Sequence, residues 1–379
     1  MAAIAILSPN GQPTTSGDGP ASVLFVATLR GVVRLDRAAP NARWVVTSQS
    51  LSDKHISSIV FQPGSGKLFA GAHGDGGVWV SDDGGGENWR AVANGLAQRN
   101  VYSLAARRIG TRVTLFAGVE PAALYRSDDL GESWRELAAL RGVPGTEKWN
   151  FPPPPHLAHV KCITIDPKNP TTLFTCVEQG ALLKSEDDGE NWVELDGYVL
   201  PDDATYHDTH RFEFHPDNNV AYLSTGLGLS RSEDRGRTWR ALTRRGGRLG
   251  YPDFISFDPA NPDVLFLTGA AKPPQHWMAD HGANPAILKS NDGGRTWREL
   301  EKGLPRPLVG SIEALTRHDF PAGSSLFFAT ATGEVYTSDD AGESWTCIAT
   351  GLAAVSKAGH YRAFLPAQER KGEGLAAFA

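Results

Sequence analysis

The string Ser185-Glu186-Asp187-Asp188-Gly189-Glu190-Asn191-Trp192 decides the fold of this chain, because it is one member of a series. Its pattern, Ser-x-Asp-x-Gly-x-x-Trp, recurs in full at four other places. A near-copy that starts at Ser81 reaches its tryptophan one residue late, and a seventh position keeps only Trp44. From Trp44 to Trp345 the tryptophans of the series recur every 45 to 58 residues, a period typical of four-stranded propeller blades. The other complete copies are 127–134, 232–239, 290–297 and 338–345.

Similar segments flank each copy. A β-rich run comes first, often closing on Asp-Pro as in Ile165-Asp166-Pro167, and a Leu-Phe run such as Leu173-Phe174 follows it. We assign these runs to strands A and B of a blade, and the string itself to the turn between strands C and D. In that turn the aspartate accepts backbone N–H bonds, the glycine supplies a positive φ and the tryptophan packs between blades. The sequence therefore predicts an all-β, seven-bladed propeller.

The repeated strings resemble the Asp-box (BNR) repeats of sialidases, two-domain xyloglucanases, the photosystem II assembly propeller and the sortilin ectodomain. The resemblance covers residues 22–366 and implies the propeller fold, but members of this family differ widely in function. Sialidases carry an arginine triad and an early Arg-Ile-Pro segment. No Arg-Ile-Pro occurs here, so sialidase activity is not expected.

The chain ends suggest how the ring of blades closes. The first repeat begins with a B-like strand, 22–27, that has no A strand before it, and an orphan strand, 360–366, follows Trp345. Pairing these two strands in one blade would remove the open sheet edges. We therefore expect one propeller domain over residues 21–369, with flexible tails at 1–20 and 370–379.

Composition excludes some classes of partner. Lys+Arg 37 against Asp+Glu 43 gives a net charge of −6, so no global positive field favours nucleic acid. No stretch approaches the ~20 apolar residues that a membrane span needs. The three cysteines, Cys162, Cys176 and Cys347, have no metal-site spacing and read as buried residues in a reducing compartment. We expect a cytoplasmic monomer.

Strand A lines the central channel, and the upper face, which carries the D–A and B–C connections, holds the long loops. Aligning the A strands places one residue of each blade in a ring at the upper channel mouth, and a second ring two residues earlier on the same side. Apolar residues, including Ile59, Phe212 and Leu315, are expected to form a floor beneath. The mouth ring is Ser57, Tyr102, Lys161, His210, Asp253, Glu313 and His360. The second ring is His55, Asn100, His159, Asp208, Tyr251, Ser311 and Ala358.

Three chemistries fit these rings. His159, His210 and His360, with Asp253 or Glu313, have the ligand types of a Zn, Fe or Cu site. Alternatively, Asp208, Asp253 and Glu313 offer the acid and base of a glycosidase. The third alternative is cofactor-free acid–base catalysis by His210 or His360. Candidate substrate-binding residues are Lys161, Arg211, Arg362, Tyr102, Tyr251, Glu178 and His156.

The predicted function is an enzyme with its active site in the central channel, acting on a small polar or anionic substrate. The reaction is hydrolase- or glycosidase-like, or metal-assisted. In the anionic case, Lys161 and Arg362 hold the substrate. The alternatives are a non-catalytic binding or assembly scaffold, and polar channel residues that only bind water.

Overall fold

The structure is a computed structural model that describes residues 2–200, 207–215, 219–258, 260–261, 263–277 and 282–357. These residues form seven sheets, one for each blade of a seven-bladed propeller. In six blades the four strands pair in the order A-B-C-D, and the last blade carries one extra strand on its inner edge. Short 3-10 helices cover Ala138–Gly142, Thr146–Lys148 and Pro274–His276. None of the helices in the described residues has the length and apolar character that crossing a membrane requires.

Strands β1 to β17 form the first four blades, except β2 (Thr14–Ser16), which lies on the inner edge of the last blade. The first blade is β1 (Ile4–Leu7), β3 (Val23–Thr28), β4 (Gly31–Asp36) and β5 (Val45–Ser50). The second blade is β6 (Ile56–Gln62), β7 (Lys67–Ala72), β8 (Gly77–Ser81) and β9 (Arg90–Ala91). The third is β10 (Asn100–Ile109), β11 (Arg112–Glu120), β12 (Ala123–Ser127) and β13 (Arg135–Glu136). The fourth is β14 (His159–Ile165), β15 (Leu173–Glu178), β16 (Ala181–Ser185) and β17 (Val193–Glu194).

The last three blades contain strands β18 to β29. The fifth blade is β18 (Thr209–Phe214), β19 (Ala221–Thr225), β20 (Gly228–Ser232) and β21 (Arg240–Ala241). The sixth is β22 (Tyr251–Phe257), β23 (Leu265–Ala270), β24 (Pro285–Ser290) and β25 (Arg298–Glu299). The seventh is β26 (Ile312–Phe320), β27 (Gly323–Thr330), β28 (Val335–Ser338) and β29 (Thr346–Ala349).

The innermost strands contact one another around the channel. In each neighbouring pair of blades the inner strands touch, from β6 through β10, β14, β18 and β22 to β26. The ring closes through β1, which contacts both β6 and β26. β1 pairs with β3 in parallel, with Ile4 opposite Val23 and Leu7 opposite Val26. The N-terminal strand is therefore the inner strand of the first blade.

This arrangement corrects two expectations. The strand expected to pair with 22–27 was 360–366, but β1 occupies that place, and 360–366 lies outside the described residues together with the predicted tail 370–379. Residues 1–20 were expected to be a flexible tail. Instead Ala5, Ile6 and Leu7 are fully buried, because they face the apolar interiors on both sides of the first blade.

Beyond β1 the chain crosses the channel before it returns along β2. The amide N–H of Asn10 donates to the carbonyl of Ser57 (3.0 Å), and Nη2 of Arg211 donates to the carbonyl of Pro9 (3.1 Å). The carbonyl of Pro13 accepts a bond from the amide of Arg317 (3.1 Å), where β2 joins β26 in parallel. The amide of Leu104 in the third blade also donates to the carbonyl of Asn10 (3.4 Å). Residues 8–13 thus bind four blades, and we call them the N-terminal plug.

The repeated strings form the C–D turns with one shared hydrogen-bond pattern. In the fourth blade Oγ of Ser185 donates to Asp187 (2.9 Å) and accepts from the amide of Gly189 (2.8 Å), which has φ of 91°. The positive φ expected of this glycine is confirmed. In the second blade the inserted residue shifts this role to Gly86 (φ 73°), whose amide donates to Ser81.

The tryptophans that end these turns pack between blades, as expected. Trp134 is 5% exposed and joins a cluster that contains Phe69 and Val80 of the second blade and Leu115 of its own. Trp345 likewise joins a cluster that contains Phe254 and Phe266 of the sixth blade and Phe328 of its own. The seven larger apolar clusters each span two neighbouring blades, so the blades bury their cores against one another.

The burial of β1 has a measurable consequence. Ile6→Ala and Leu7→Ala are each expected to lower the free energy of unfolding by about 2–5 kcal/mol, the range for removing a buried aliphatic side chain. Urea unfolding of the full chain measures this loss. Ser16→Ala, at an exposed position of β2, is the control and should change little. If both core variants unfold like the wild type, β1 does not close the ring.

Candidate functional site

A β-bulge near the start of the inner strand positions the mouth ring. In β14, for example, the register shifts between Val160 and Cys162, which leaves Lys161 as the extra residue. The same shift occurs in β6, β10, β18, β22 and β26. Bulges re-aim the extra side chain and are common beside functional sites. The six bulge residues are Ser57, Tyr102, Lys161, His210, Asp253 and Glu313.

Glu178, at the end of β15, organises the centre of the site. Its Oε2 lies 2.7 Å from Nε2 of His159, and its Oε1 accepts a hydrogen bond from Nζ of Lys161. Nε2 of His210 lies 3.8 Å from the same Oε1. All four side chains are less than 8% exposed. We call Glu178, His159, Lys161, His210 and the adjacent Asp208 the Glu178 cluster.

Charge pairing overrides burial in this cluster. Burial alone would lower the pKa of His159, but its contacts with Glu120 and Glu178 raise that pKa above the ordinary value. Burial would likewise lower the pKa of Lys161, but the nearby carboxylates, Glu178 first, raise it. The pKa of Glu178 is held well below its usual range by Lys161 and His159 despite burial. These three groups therefore form a charged, mutually paired network.

Asp208 and His210 form the other half of the cluster. Oδ1 of Asp208 lies 3.3 Å from Nε2 of His210. A side chain on Gly226 would leave no room here, since a Cβ at that residue would lie 2.1 Å from Oδ2 of Asp208. Within the described part of the chain, Nε2 of His210 makes no hydrogen bond of good geometry, although His210 is 1% exposed. A buried polar atom thus points into the cluster without a hydrogen-bond partner from the described residues.

The other ring nitrogen sets the tautomer of His210. Nδ1 lies 2.7 Å from the carbonyl oxygen of Pro252, which can only accept a hydrogen bond. Nδ1 therefore carries a hydrogen, and in the neutral imidazole Nε2 presents its lone pair to Asp208 and Glu178. This is the arrangement of a histidine that accepts a proton or binds a metal ion.

Asp253 and Glu313 are engaged by residues beyond β29. Asp253 forms an ion pair with Nζ of Lys357, which helps to lower its pKa to about 2 although burial opposes this shift. Glu313 accepts hydrogen bonds from Ser311 (2.6 Å), from Ser356 and from the amide of Lys357 (3.1 Å). Sequence reasoning missed Lys357, because no repeated string or strand pattern marks its position.

A row of phenol and imidazole rings extends the site towards the second blade. The rings of Tyr102 and His159 stack with centroids 3.6 Å apart, and His73 meets the edge of Tyr102 at 4.2 Å. Burial lowers the pKa of His55 to about 4 and that of His73 well below its usual value, so both are neutral near pH 7. His73 was also missed. It directly follows strand B of its blade (β7), next to the position where Glu120 and Glu178 end theirs, so the same alignment would have found it.

Two predicted residues, Arg211 and His156, stand apart from the cluster. Arg211 lies 3.8 Å above the ring of Phe254 and forms an ion pair with Glu213 (3.2 Å), so it faces the plug and the lower end of the channel. His156 is exposed, with Nδ1 3.0 Å from the carbonyl of Phe151. His360 and Arg362 lie outside the described residues. The bulge at His210 explains the direction of Arg211, since an extra residue reverses the alternation of the strand.

The expected apolar floor is also corrected. Ile59, Phe212 and Leu315 are at most 2% exposed and belong to the clusters between blades. The plug lies beneath the mouth ring instead, as the bond from Asn10 to Ser57 shows. Below it, at the lower face, a cavity of about 430 Å³ is lined by the plug and by Arg107, Arg211 and Glu213, among others.

Glu213 in this cavity generates a pH-dependent prediction. Burial raises its pKa to about 7, against the opposing charge of Arg211. An acid whose folded-state pKa is raised contributes stability below its ordinary pKa and loses it as pH rises through the folded value. Between pH 5 and 8 the wild type should lose at most about 3 kcal/mol through this group, and Glu213→Gln should not.

Urea unfolding of both proteins at pH 5 and pH 8 measures this difference. Glu190→Gln, on an exposed glutamate, controls for the loss of a surface charge. A gap between wild type and Glu213→Gln that is the same at both pH values would show that burial does not raise the pKa of Glu213.

Comparisons with known proteins give the fold and leave the activity open. No family model matches the chain, and no curated protein matches its sequence. An ancestral GH74 enzyme matches 76% of this chain at 16% identity, with a TM-score of 0.58. This chain spans 38% of that enzyme. YCF48 bound to D1 peptide matches 86% of this chain and 90% of its own at 16% identity, with a TM-score of 0.54.

The chain is similar in fold to both propellers. At this level of identity the likeness shows the fold alone. One of the two is an enzyme, and the other is shown with a peptide bound. Enzyme and scaffold therefore both remain compatible with this fold.

Proposed function

We propose that this chain is a hydrolase-type enzyme that activates water at the Glu178 cluster for attack on a small polar substrate. The observation that carries the proposal is the buried Nε2 of His210, which faces two carboxylates and makes no hydrogen bond within the described residues. Burying such a group has a free-energy cost that function, rather than stability, explains. Buried polar groups without a hydrogen-bond partner are few in folded proteins, and a catalytic role is one recognised reason for them.

The chemistry follows from the contacts of His210. The carbonyl of Pro252 holds the ring so that Nε2 is the group that activates water, and Asp208 stabilises the positive charge that develops on the imidazole. Lys161 and His159 hold Glu178 in place through one hydrogen bond to each carboxylate oxygen. The cluster thus contains a histidine that activates water, a carboxylate that stabilises the charge on that histidine, and a second carboxylate held in a fixed position.

A glycosidase mechanism has less support. The general acid of that reaction needs a raised pKa so that it carries a proton near neutral pH. Asp253 is shifted the opposite way, to a pKa of about 2, by Lys357. Glu313 already accepts hydrogen bonds from two hydroxyls and an amide. We therefore assign water activation to Asp208 and His210 rather than to a carboxylate pair.

The charge of the substrate is part of the proposal. Of the two residues expected to hold an anion, Lys161 bonds to Glu178, and Arg362 lies outside the described residues. Arg211, another candidate substrate-binding residue, bonds to Glu213. Little positive charge is therefore left for an anionic substrate among the described residues. We therefore favour a neutral polar molecule. We also infer that the repeats belong to the Asp-box family. Cytoplasmic location and a monomeric state stay predictions.

One observation favours the scaffold as a second candidate. The five side chains of the Glu178 cluster are at most 7% exposed, so a ligand has to displace something to reach them. A buried ionic network can instead serve only to fix the arrangement of the inner strands.

Turnover separates the two candidates. Purified full-length protein would be assayed with p-nitrophenyl esters, lactones and p-nitrophenyl glycosides as hydrolysis probes. His210→Ala and Asp208→Asn are each expected to lower kcat/KM by about 100-fold or more, within the range for removing an acid–base group. Asp292→Asn, in a C–D turn on the lower face, is the control and should retain activity. Absence of turnover on every probe, or equal turnover in His210→Ala, would favour the scaffold.

A further inference from the structure

We propose that Glu178, Asp208 and His210 bind one divalent first-row transition-metal ion, such as Mn²⁺ or Zn²⁺. This inference rests on the proposed function, because it places the ion at the same cluster. With the ion bound, Nε2 of His210 would be a ligand, and the ion would take over the activation of water from His210. The set differs from the one that the sequence suggested, which was His159, His210 and His360 with Asp253 or Glu313. It keeps His210 and adds Glu178 and Asp208.

Three atoms of the Glu178 cluster that can donate an electron pair to a metal lie close together. One carboxylate oxygen of Glu178, one of Asp208 and a ring nitrogen of His210 all lie within 4.8 Å of one another. Nδ1 of His210 donates to Pro252, so Nε2 has no hydrogen to offer in the neutral form. Three electron pairs that face one another repel unless a proton or a cation lies between them.

The distances match those of a coordinated ion. Nε2 of His210 lies 3.3 Å from Oδ1 of Asp208 and 3.8 Å from Oε1 of Glu178. Two ligands at about 2.1 Å from a metal are about 3.0 Å apart at a right angle and about 3.4 Å apart at the tetrahedral angle. An ion of this size therefore accommodates both distances from Nε2 of His210, with wide but ordinary ligand angles. The carbonyl of Pro252 supplies the outer hydrogen bond that metal-binding histidines usually make.

The buried carboxylates of the site differ in whether cationic side chains already pair with them. Glu178 is matched by Lys161 and His159, and Asp253 by Lys357. Asp208 is 5% exposed, and within the described ranges its one ion-pair neighbour is Nε2 of His210. An isolated buried carboxylate is costly, and a bound cation would offset that cost. The mixed oxygen and nitrogen donors suit Mn²⁺, Fe²⁺ or Zn²⁺ better than Ca²⁺ or Cu⁺.

Lys161 limits the strength of binding. Its ammonium group bonds to Oε1 of Glu178, the same oxygen that faces His210. A carboxylate oxygen has two lone pairs, so it can bond to both, but the positive charge of Lys161 repels the ion. The site should consequently bind one ion in each chain with moderate affinity.

Metal titration tests the inference. Full-length protein, stripped with a chelator and dialysed, is titrated with Mn²⁺ or Zn²⁺ alone by isothermal calorimetry, and Co²⁺ absorption reports the ligand set. The wild type is expected to bind one ion per chain. Asp208→Asn and His210→Ala should weaken binding by more than about 100-fold, beyond the range for residues that only orient a ligand.

The controls separate the alternatives. Asp253→Asn changes a neighbouring buried carboxylate that is not a ligand, and this variant should still bind one ion. His159→Gln removes a hydrogen bond to Glu178 and should weaken binding less than Asp208→Asn does. Circular dichroism shows whether each variant is folded. Loss of the ion in His159→Gln but not in Asp208→Asn would overturn this ligand set. A wild type that binds no ion stoichiometrically overturns the inference whether or not any variant folds.

Failure of the metal site and failure of the proposed function give different results. Turnover that survives complete removal of metal by a chelator overturns the metal inference and leaves the enzyme. A stoichiometric ion in a protein that hydrolyses none of the probes supports the metal site and overturns the proposed hydrolase.

Discussion

The propeller depends on the packing of β1 between β6 and β26. In six blades the inner strand pairs antiparallel with the strand that follows it in the chain. In the first blade the inner strand is β1, which pairs with β3 in parallel. Without β1, the inner edge of β3 would be unpaired. A gap between the second and last blades would also expose apolar surface. The plug extends this closure, since its hydrogen bonds join inner strands that are distant along the chain. The same N-terminal segment therefore closes the ring and fills the channel.

The repeated strings made most of the fold predictable. Each carries the serine, aspartate and glycine that build one turn, and the shared endings of the A strands, such as Ile165-Asp166-Pro167, give the register of the blades. That register placed Lys161, His210 and Asp253 at one level of the channel, where the structure has them. β1 was not predictable in this way, because Ile4-Ala5-Ile6-Leu7 carries no turn string and precedes the first period. A short apolar run looks the same in a tail and in a buried strand.

The bulges explain what the alignment could and could not give. Because the bulge recurs at one position in six inner strands, counting from the strand end found the six described members of the mouth ring. Alternation of side chains past the bulge is reversed, so the same count misplaced the supposed apolar floor. The partners of the ring come from other elements. Glu178 ends strand B of its blade, whereas Lys357 lies beyond the last strand, where no periodicity applies.

The parallel pairing of β1 also bears on how the chain is made. A ribosome releases β1 first and β26 last among the inner strands, so the two strands between which β1 packs are completed far apart in time. Until the seventh blade has emerged, β1 can use only half of its contact surface, and the apolar side chains meant for the last blade stay uncovered. Contacts between such distant segments slow folding and expose nascent chains to aggregation. The growing chain thus carries an incomplete ring throughout its synthesis, and the last inner strand to be released is the one that lets it close.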